Sequence, residues 1–281
     1  MSEPLEHFDL SGKTALVTGG ATGLGFHMSR ALARAGADVL IVARRTKVLE
    51  EAAEELRKDP FIKKVDWYSV DLQDRADVES LAKQVLSTYG GIDILVGNAG
   101  TAATQQITEL TAEAIDSGMQ LNLVSNMQLA RAFLPGMKKK KWGRFIFSSS
   151  IASALIGPLE GTSTYAASKA ALNAFCRQIA ADSGHFNITA NAMVLGFFMT
   201  DILKNGVQYI KENSGEEAAQ KFLDDFVSLT ALGRIGDPSE IEGLVQLLAS
   251  NAGSYITGAS LAIDGGMGIM MRPLPATIEL E

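Results

Sequence analysis

The chain has 281 residues, 47% hydrophobic and 20% charged, with a formal net charge of −7 and one cysteine. A nearly half-apolar composition excludes a disordered chain, the acidic balance argues against a nucleic-acid or other polyanion partner, and the lone Cys176 excludes an internal disulfide or a thiolate metal site. The acidic start "MSEPLEHFDLSG" has no apolar signal core and no window reaches the roughly 18 uninterrupted apolar residues of a membrane span, so a cytoplasmic protein is expected.

From Lys13 onward, short β-branched or apolar runs alternate with amphipathic stretches. "TALVTG" reads as a buried strand and "LGFHMSRALARAG" as a helix closed by Gly36. "DVLIVA" is a second strand, "TKVLEEAAEELRKD" a helix with a charged outer face, "VDWYSVDL" a third strand and "RADVESLAKQVLSTYG" a helix. "DILVGNAG" is a fourth strand, followed by a long helix through "TAEAIDSGMQLNLVSNMQLARAFLPGM", a basic loop Lys138–Lys141 and a fifth strand "GRFIFSSS". A loop rich in Gly, Ser and Pro leads to the helix "TYAASKAALNAFCRQIAADSG", where Cys176 reads as a small core hydrophobe. The strand "ITANAMVL", the helix "PSEIEGLVQLLAS" and the short strand "SLAID" complete the series. His7, His27 and His185 lie far apart with no metal-ligand spacing, and structural or surface roles are expected for them.

Seven strands alternating with helices require parallel pairing with helices on both faces, hence an α/β, doubly wound Rossmann fold. No linker or repeat divides the chain, so residues 1–281 read as one dinucleotide-binding catalytic domain. Residues 199–231 fall outside the rhythm as a helical insertion suited to a lid, and the tail 269–281 is either a cover, a subunit contact or disordered.

The first strand runs into "TGGATGLG", which sets Gly19, Thr22, Gly23, Leu24 and Gly25 in the strand-to-helix turn. Unpaired N–H groups and the positive dipole end there suit a pyrophosphate, and glycines let it approach closely. A ribose 2′-hydroxyl of NAD would be met by an acidic residue closing the second strand, but "VARR" offers Ala43 followed by Arg44 and Arg45. Guanidinium groups fork onto phosphate, so NADP(H) is the expected cofactor, against the reading of both arginines as ordinary surface charge. Asp71, beside Leu72, reads as an acceptor for an adenine amino group or as a helix cap.

"TYAASKAAL" places Tyr165 and Lys169 four apart on one helix face, where an ammonium near a phenol favours proton exchange near neutrality. The glycine turn, Arg44, "NAG" after strand four, "SSS" after strand five and Tyr165/Lys169, in this order, resemble the short-chain dehydrogenase/reductase family over roughly residues 9 to 268. "LGRIGDPSEI" and "SYITGASLAIDGG" extend the resemblance toward the C-terminus. The resemblance implies that Ser150 polarises a carbonyl oxygen and Tyr165 exchanges the alcohol proton. It further implies that Lys169 lowers the Tyr165 pKa and grips the nicotinamide ribose, and that Asn122 positions a water. Asn98, Ala99 and Gly100 would line the cofactor and Thr200 would sit near the carboxamide.

The chain departs from the family pattern at Gly97, where an asparagine is usual, and at Leu195-Gly196, where Pro-Gly is usual. The stretch from Ser150 to Tyr165 is longer than common, which leaves Ser148, Ser149 and Ser150 as alternatives, with Ser153 a weaker one. The expected activity interconverts a secondary alcohol and a ketone with NADP(H). The alternatives are a 3-oxoacyl-carrier-protein reductase and a non-catalytic NADP-binding regulator. A carrier-protein docking patch is disfavoured by the acidic chain and by the absence of basic residues in "AADSGHFN". Phe197, Phe198, Met199, Ile202 and Leu203, with Leu155, Ile156, Pro158 and Leu159, would border a partly apolar substrate. A homotetramer or homodimer is implied by the resemblance, through the two long helices.

Overall fold

The computed structural model describes residues 5–102, 104–153 and 161–269. Seven strands form one sheet: β1 (Thr14–Thr18), β2 (Asp38–Ala43), β3 (Val65–Ser69), β4 (Ile94–Gly97), β5 (Gly143–Ser150), β6 (Ile188–Leu195) and β7 (Ser260–Ile263). Every pairing is parallel and the order is β3-β2-β1-β4-β5-β6-β7, the Rossmann arrangement expected. The order reverses between β1 and β4, and that crevice at the carboxyl ends is where such sheets bind ligands.

Alternation along the strands separates two cores. Ala15, Val17, Val39 and Ile41 face α1 (Gly23–Arg34), α2 (Thr46–Arg57) and α9 (Glu242–Ala249), meeting Met28, Leu32, Leu49 and Val245. Leu16, Leu40, Phe145 and Phe147 face α3 (Arg75–Tyr89), α5 (Ser125–Lys140) and α6 (Ser163–Ser183), meeting Val85, Phe133, Leu172 and Cys176. Each fully buried Leu or Phe contributes about 1.5–3 kcal/mol relative to exposure, so the two layers hold the strand ends in fixed register.

The helix boundaries follow local chemistry. Asp74 caps α3 by accepting from Ala76 N and Asp77 N, and Gly90, at φ 70°, closes it in the left-handed region. Thr111 caps α4 (Ala112–Met119). The long helix expected after β4 is not uniform: α4 passes through a π turn, Gln120–Val124, before continuing as α5. The insertion after β6 consists of α7 (Asp201–Ser214) and α8 (Glu216–Ser228), a packed pair. Among the described residues no helix is long and apolar enough to cross a membrane.

Candidate active site

The turn between β1 and α1 has the shape its glycines suggested. Gly19 and Gly23 have φ of 65° and 52°, which L side chains rarely adopt, and a Cβ on Gly25 would fall on the Gly19 carbonyl. Thr22 stands at the N-cap without a side-chain hydrogen bond, so the N–H groups of the first α1 turn, around Gly23, Leu24 and Gly25, remain available to an anion. Thr200, the N-cap of α7, closes over this turn: its methyl would lie 3.6 Å from a Cβ on Gly23.

Across the crevice, Asn98 ties three strand ends together. Its amide donates to Thr18 O at 3.2 Å and Gly19 O at 3.4 Å, and its Oδ1 accepts from the Ser148 hydroxyl at 3.1 Å. Thr18 Oγ1 in turn accepts from the backbone N–H groups of Asn98 and Ala99.

Arg44 and Arg45 follow β2 on the exposed surface, and neither guanidinium has an acidic partner among the described residues. Two unpartnered cations at this corner and a glycine cradle with no room for side chains fit a phosphorylated dinucleotide. Asp71 is not the cap of α3, a role taken by Asp74; its carboxylate accepts from Gln73 N at 3.0 Å in a local turn. Leu72 is buried, and its carbonyl accepts from Gln120 Nε2.

The three serines ending β5 separate by partner. Ser148 bonds to Asn98, Ser149 reaches the Lys169 carbonyl, and Ser150 is the one that bears on the Tyr165 phenol, drawing its pKa down. Ser150 Oγ also accepts from Ala152 N at 3.2 Å, in the 3-10 turn Ile151–Ser153 that ends the strand. Ser153 is occupied by Asn173 Nδ2 at 2.9 Å.

Tyr165 and Lys169 occupy the first turns of α6, with Lys169 Nζ 5.6 Å from the Tyr165 ring centroid. Lys169 is buried and donates to Ser148 O at 2.7 Å; burial without an anionic partner pushes its pKa down to about 8. The Tyr165 pKa is raised from its ordinary value, chiefly by burial, while the Ser150 hydrogen bond pulls it back. In this arrangement the Lys169 ammonium is directed at a carbonyl, and the raised Tyr165 pKa follows from burial in place of the expected depression.

Asn122 sits in the π turn, fully buried. Its Oδ1 accepts from Thr101 N at 2.9 Å, and its Nδ2 donates to Thr101 O and to the Ser168 hydroxyl, each at 3.0 Å. Gly100 passes so close that a Cβ there would lie 3.0 Å from Asn122 Oδ1 and 3.3 Å from Lys169 Nζ. Ser168, Thr101 and the π turn are site features that sequence reading missed. Among the described residues no cluster of His, Cys, Asp or Glu is able to hold a metal.

The Leu195–Gly196 turn is held: Gly196 N donates to Ile263 O at 3.1 Å, and a Cβ at Gly196 would strike Asp264. Of the apolar lid residues, Phe198 is buried and Phe197 packs edge-on against Phe226, whereas Ile202 is exposed. The stretch 180–187 lies at the far end of α6, against the start of β6, so its lack of basic residues does not describe the site entrance. Leu155, Ile156, Pro158, Leu159 and nearly all of the tail lie outside the described residues.

A family model described as short chain dehydrogenase matches residues 13–210. The chain is 32% identical over 265 residues to a chloroplastic tropinone reductase homolog of Arabidopsis thaliana, covering 94% of this chain and 78% of the relative. It is 33% identical over 258 residues to a 3-oxoacyl-(acyl-carrier-protein) reductase of Chlamydia muridarum, covering 92% and 98%. Among solved structures it resembles an L-sorbose reductase from Gluconobacter frateurii complexed with NADPH and L-sorbose, with a TM-score of 0.88 and 28% identity, over 94% of this chain and all of that one.

Proposed function

The chain belongs to the short-chain dehydrogenase/reductase family and is an oxidoreductase of alcohol and ketone groups, and from that premise we propose that it is an NADP(H)-dependent enzyme reducing small to medium, partly apolar ketones. The observation that carries this reading is the meeting of Ser150, Tyr165 and Lys169 at the carboxyl ends of β5 and α6's first turns, opposite the glycine turn. When bound, NADP(H) supplies a hydride at nicotinamide C4.

In the direction of reduction, the Ser150 hydroxyl donates to the substrate carbonyl oxygen, and Tyr165 transfers its phenolic proton to that oxygen as the carbon is reduced. Lys169 holds the nicotinamide ribose and keeps a positive charge behind the phenol. Asn122 fixes the Thr101 backbone and so the wall between β4 and α6. Gly19, Thr22, Gly23, Leu24 and Gly25 receive the pyrophosphate, Arg44 and Arg45 the 2′-phosphate, and Asp71 and Leu72 the adenine. Asn98, Ala99, Gly100 and Thr200 border the nicotinamide half. Residues 199–231 cover the substrate within a single catalytic domain. The buried single cysteine supports a reducing, cytoplasmic setting, and the family supports a homotetramer or homodimer.

The test is a panel of ketones and alcohols assayed at the nicotinamide absorbance with NADPH and with NADH. NADPH-linked reduction of small ketones is expected; a preference for NADH would overturn the Arg44/Arg45 assignment, and no turnover of any carbonyl would overturn the reading. The Chlamydia muridarum relative favours a second reading, reduction of a carrier-bound 3-oxoacyl group. Acetoacetyl-carrier protein included in the panel decides between the two.

A further inference from the structure

Asn126 stands one helical turn beyond Asn122 and is 2% exposed. Its Nδ2 donates to the Asn122 carbonyl at 3.1 Å, and the neighbouring Ser125 hydroxyl donates to the Leu121 carbonyl at 2.8 Å. Both are reaches to the residue four back, within the π turn Gln120–Val124, where widening puts the backbone ladder out of step and leaves carbonyls in need of donors. The other amide atom, Asn126 Oδ1, is buried with no hydrogen-bond partner among the described residues. A Cβ on Gly97 would lie 2.1 Å from it. The amide cannot be turned over to relieve this, because Oδ1 would then face the Asn122 carbonyl, acceptor against acceptor.

Gly97 is the last residue of β4, in register with Thr18 on one side and Phe147 on the other, immediately before Asn98. Its missing side chain and the Asn126 amide are thus two halves of one arrangement. A larger residue at 97 would push the amide away from Asn122 and press on Phe147, whose Cδ1 would lie 2.7 Å from the added Cβ. The motif "GNAG" in this chain therefore has a physical partner across the crevice floor.

We propose that Asn126 is a positioning residue for the reaction, which holds the π turn so that Asn122 grips Thr101 and Ser168, and that Gly97 is glycine to make room for it. Asn126 acts through Asn122, and from there along Gly100, where a Cβ would lie 3.0 Å from Asn122 Oδ1 and 3.3 Å from Lys169 Nζ. The inference rests on the reading of Ser150, Asn122, Tyr165 and Lys169 as the reacting set.

The test uses the full chain carrying Asn126→Val, Asn126→Leu, Gly97→Ala, and Gly97→Ala with Asn126→Ala. Asn126→Leu keeps the approximate size and removes the donor. Loss of one buried hydrogen bond at the site is expected to lower kcat about tenfold in both Asn126 variants. The pH profile of kcat should shift while the KM for NADPH changes less than about twofold. Gly97→Ala should match or exceed this loss, and the double variant should recover only the part of it due to the amide, because the added Cβ would still lie 2.7 Å from Phe147 Cδ1. Hydrogen–deuterium exchange over residues 119–126 should quicken in the Asn126 variants and in Gly97→Ala, with the rest of α5 unchanged. Wild-type kcat, pH profile and exchange in both Asn126 variants, or exchange over residues 119–126 that stays at the wild-type rate in Gly97→Ala, would overturn the proposal. If Gly97→Ala does not fold, the Asn126 variants decide alone. Exchange reports on the π turn even if the wild-type chain reduces no carbonyl, so failure of the functional reading is separable from failure of this one.

Discussion

Lys169 points its ammonium at the carbonyl of Ser148, 2.7 Å away, and has no carboxylate beside it. A lysine in the unfolded chain titrates near 10.4, whereas this one is pushed down to about 8 by burial. Between those values the unfolded chain binds more protons than the folded one, so stability from this group rises with pH across the window and is lost as pH falls through about 8. Urea unfolding of the wild type and Lys169→Met at pH 7.5 and 9.5 measures it. The wild type should gain on the variant at the higher pH, by on the order of 1–3 kcal/mol; parallel pH dependence would refute the assignment.

Tyr165 carries the proton, and its raised pKa keeps the phenol protonated through the neutral range. Carbonyl reduction should therefore be flat with pH up to the alkaline region and fall there, while alcohol oxidation, which needs the phenolate as base, should climb as pH rises. Tyr165→Phe should lower reduction by roughly 10²–10⁴-fold with NADPH binding retained. Ser150→Ala should cost roughly 10²–10³-fold, whereas Ser149→Ala should cost far less, because that hydroxyl faces the Lys169 backbone. Equal losses at the two serines would contradict the separation seen along β5.

Arg44 and Arg45 provide a cofactor prediction. Charge-assisted hydrogen bonds are worth about 1.5–3 kcal/mol, so Arg44→Ala should raise the NADPH dissociation constant roughly ten- to a hundredfold and leave NADH nearly unchanged. NADPH binding should also weaken with salt, since both arginines are exposed. Calorimetry with each nucleotide checks both points, and equal losses for NADPH and NADH would remove the 2′-phosphate from the argument.

The sheet was legible because its strands carry uninterrupted apolar runs such as "ALV" and "LIV", which only burial on both faces explains, and because glycine turns punctuate them. The Tyr165/Lys169 pair was legible because four-residue spacing dictates one helix face. The π turn was not: the run through Asn122 read as one continuous helix, and the Thr101 backbone that Asn122 grips comes from 21 residues away in sequence. Likewise the direction of the Tyr165 shift follows from the burial of the phenol, which spacing on a helix does not fix. The choice among three consecutive serines needed the partners Asn98 and Tyr165, each contributed by a different element.

His27, expected to be structural, belongs to a clamp that seats α1 under the glycine turn. Glu242 Oε1, on α9, accepts from Arg30 Nε at 2.9 Å and Nη2 at 2.5 Å, with His27 Nδ1 at 2.9 Å. All three side chains are less than about a third exposed, so screening only partly weakens the contact. Glu242→Ala strands two donors and should destabilise the fold by about 1–3 kcal/mol. For a chain of this size each kcal/mol corresponds to about 2–4 °C in Tm. Arg30→Ala should show a similar loss, and the double variant should fall short of the sum by a coupling of about 0.5–3 kcal/mol. NADPH affinity should survive in all three, because the clamp grips the middle of α1 and the phosphate turn lies at its start. Additive losses would mean that Glu242 and Arg30 stabilise the helices separately, and a collapse of NADPH binding would mean that the seating of α1, and not only its first turn, sets the cofactor site.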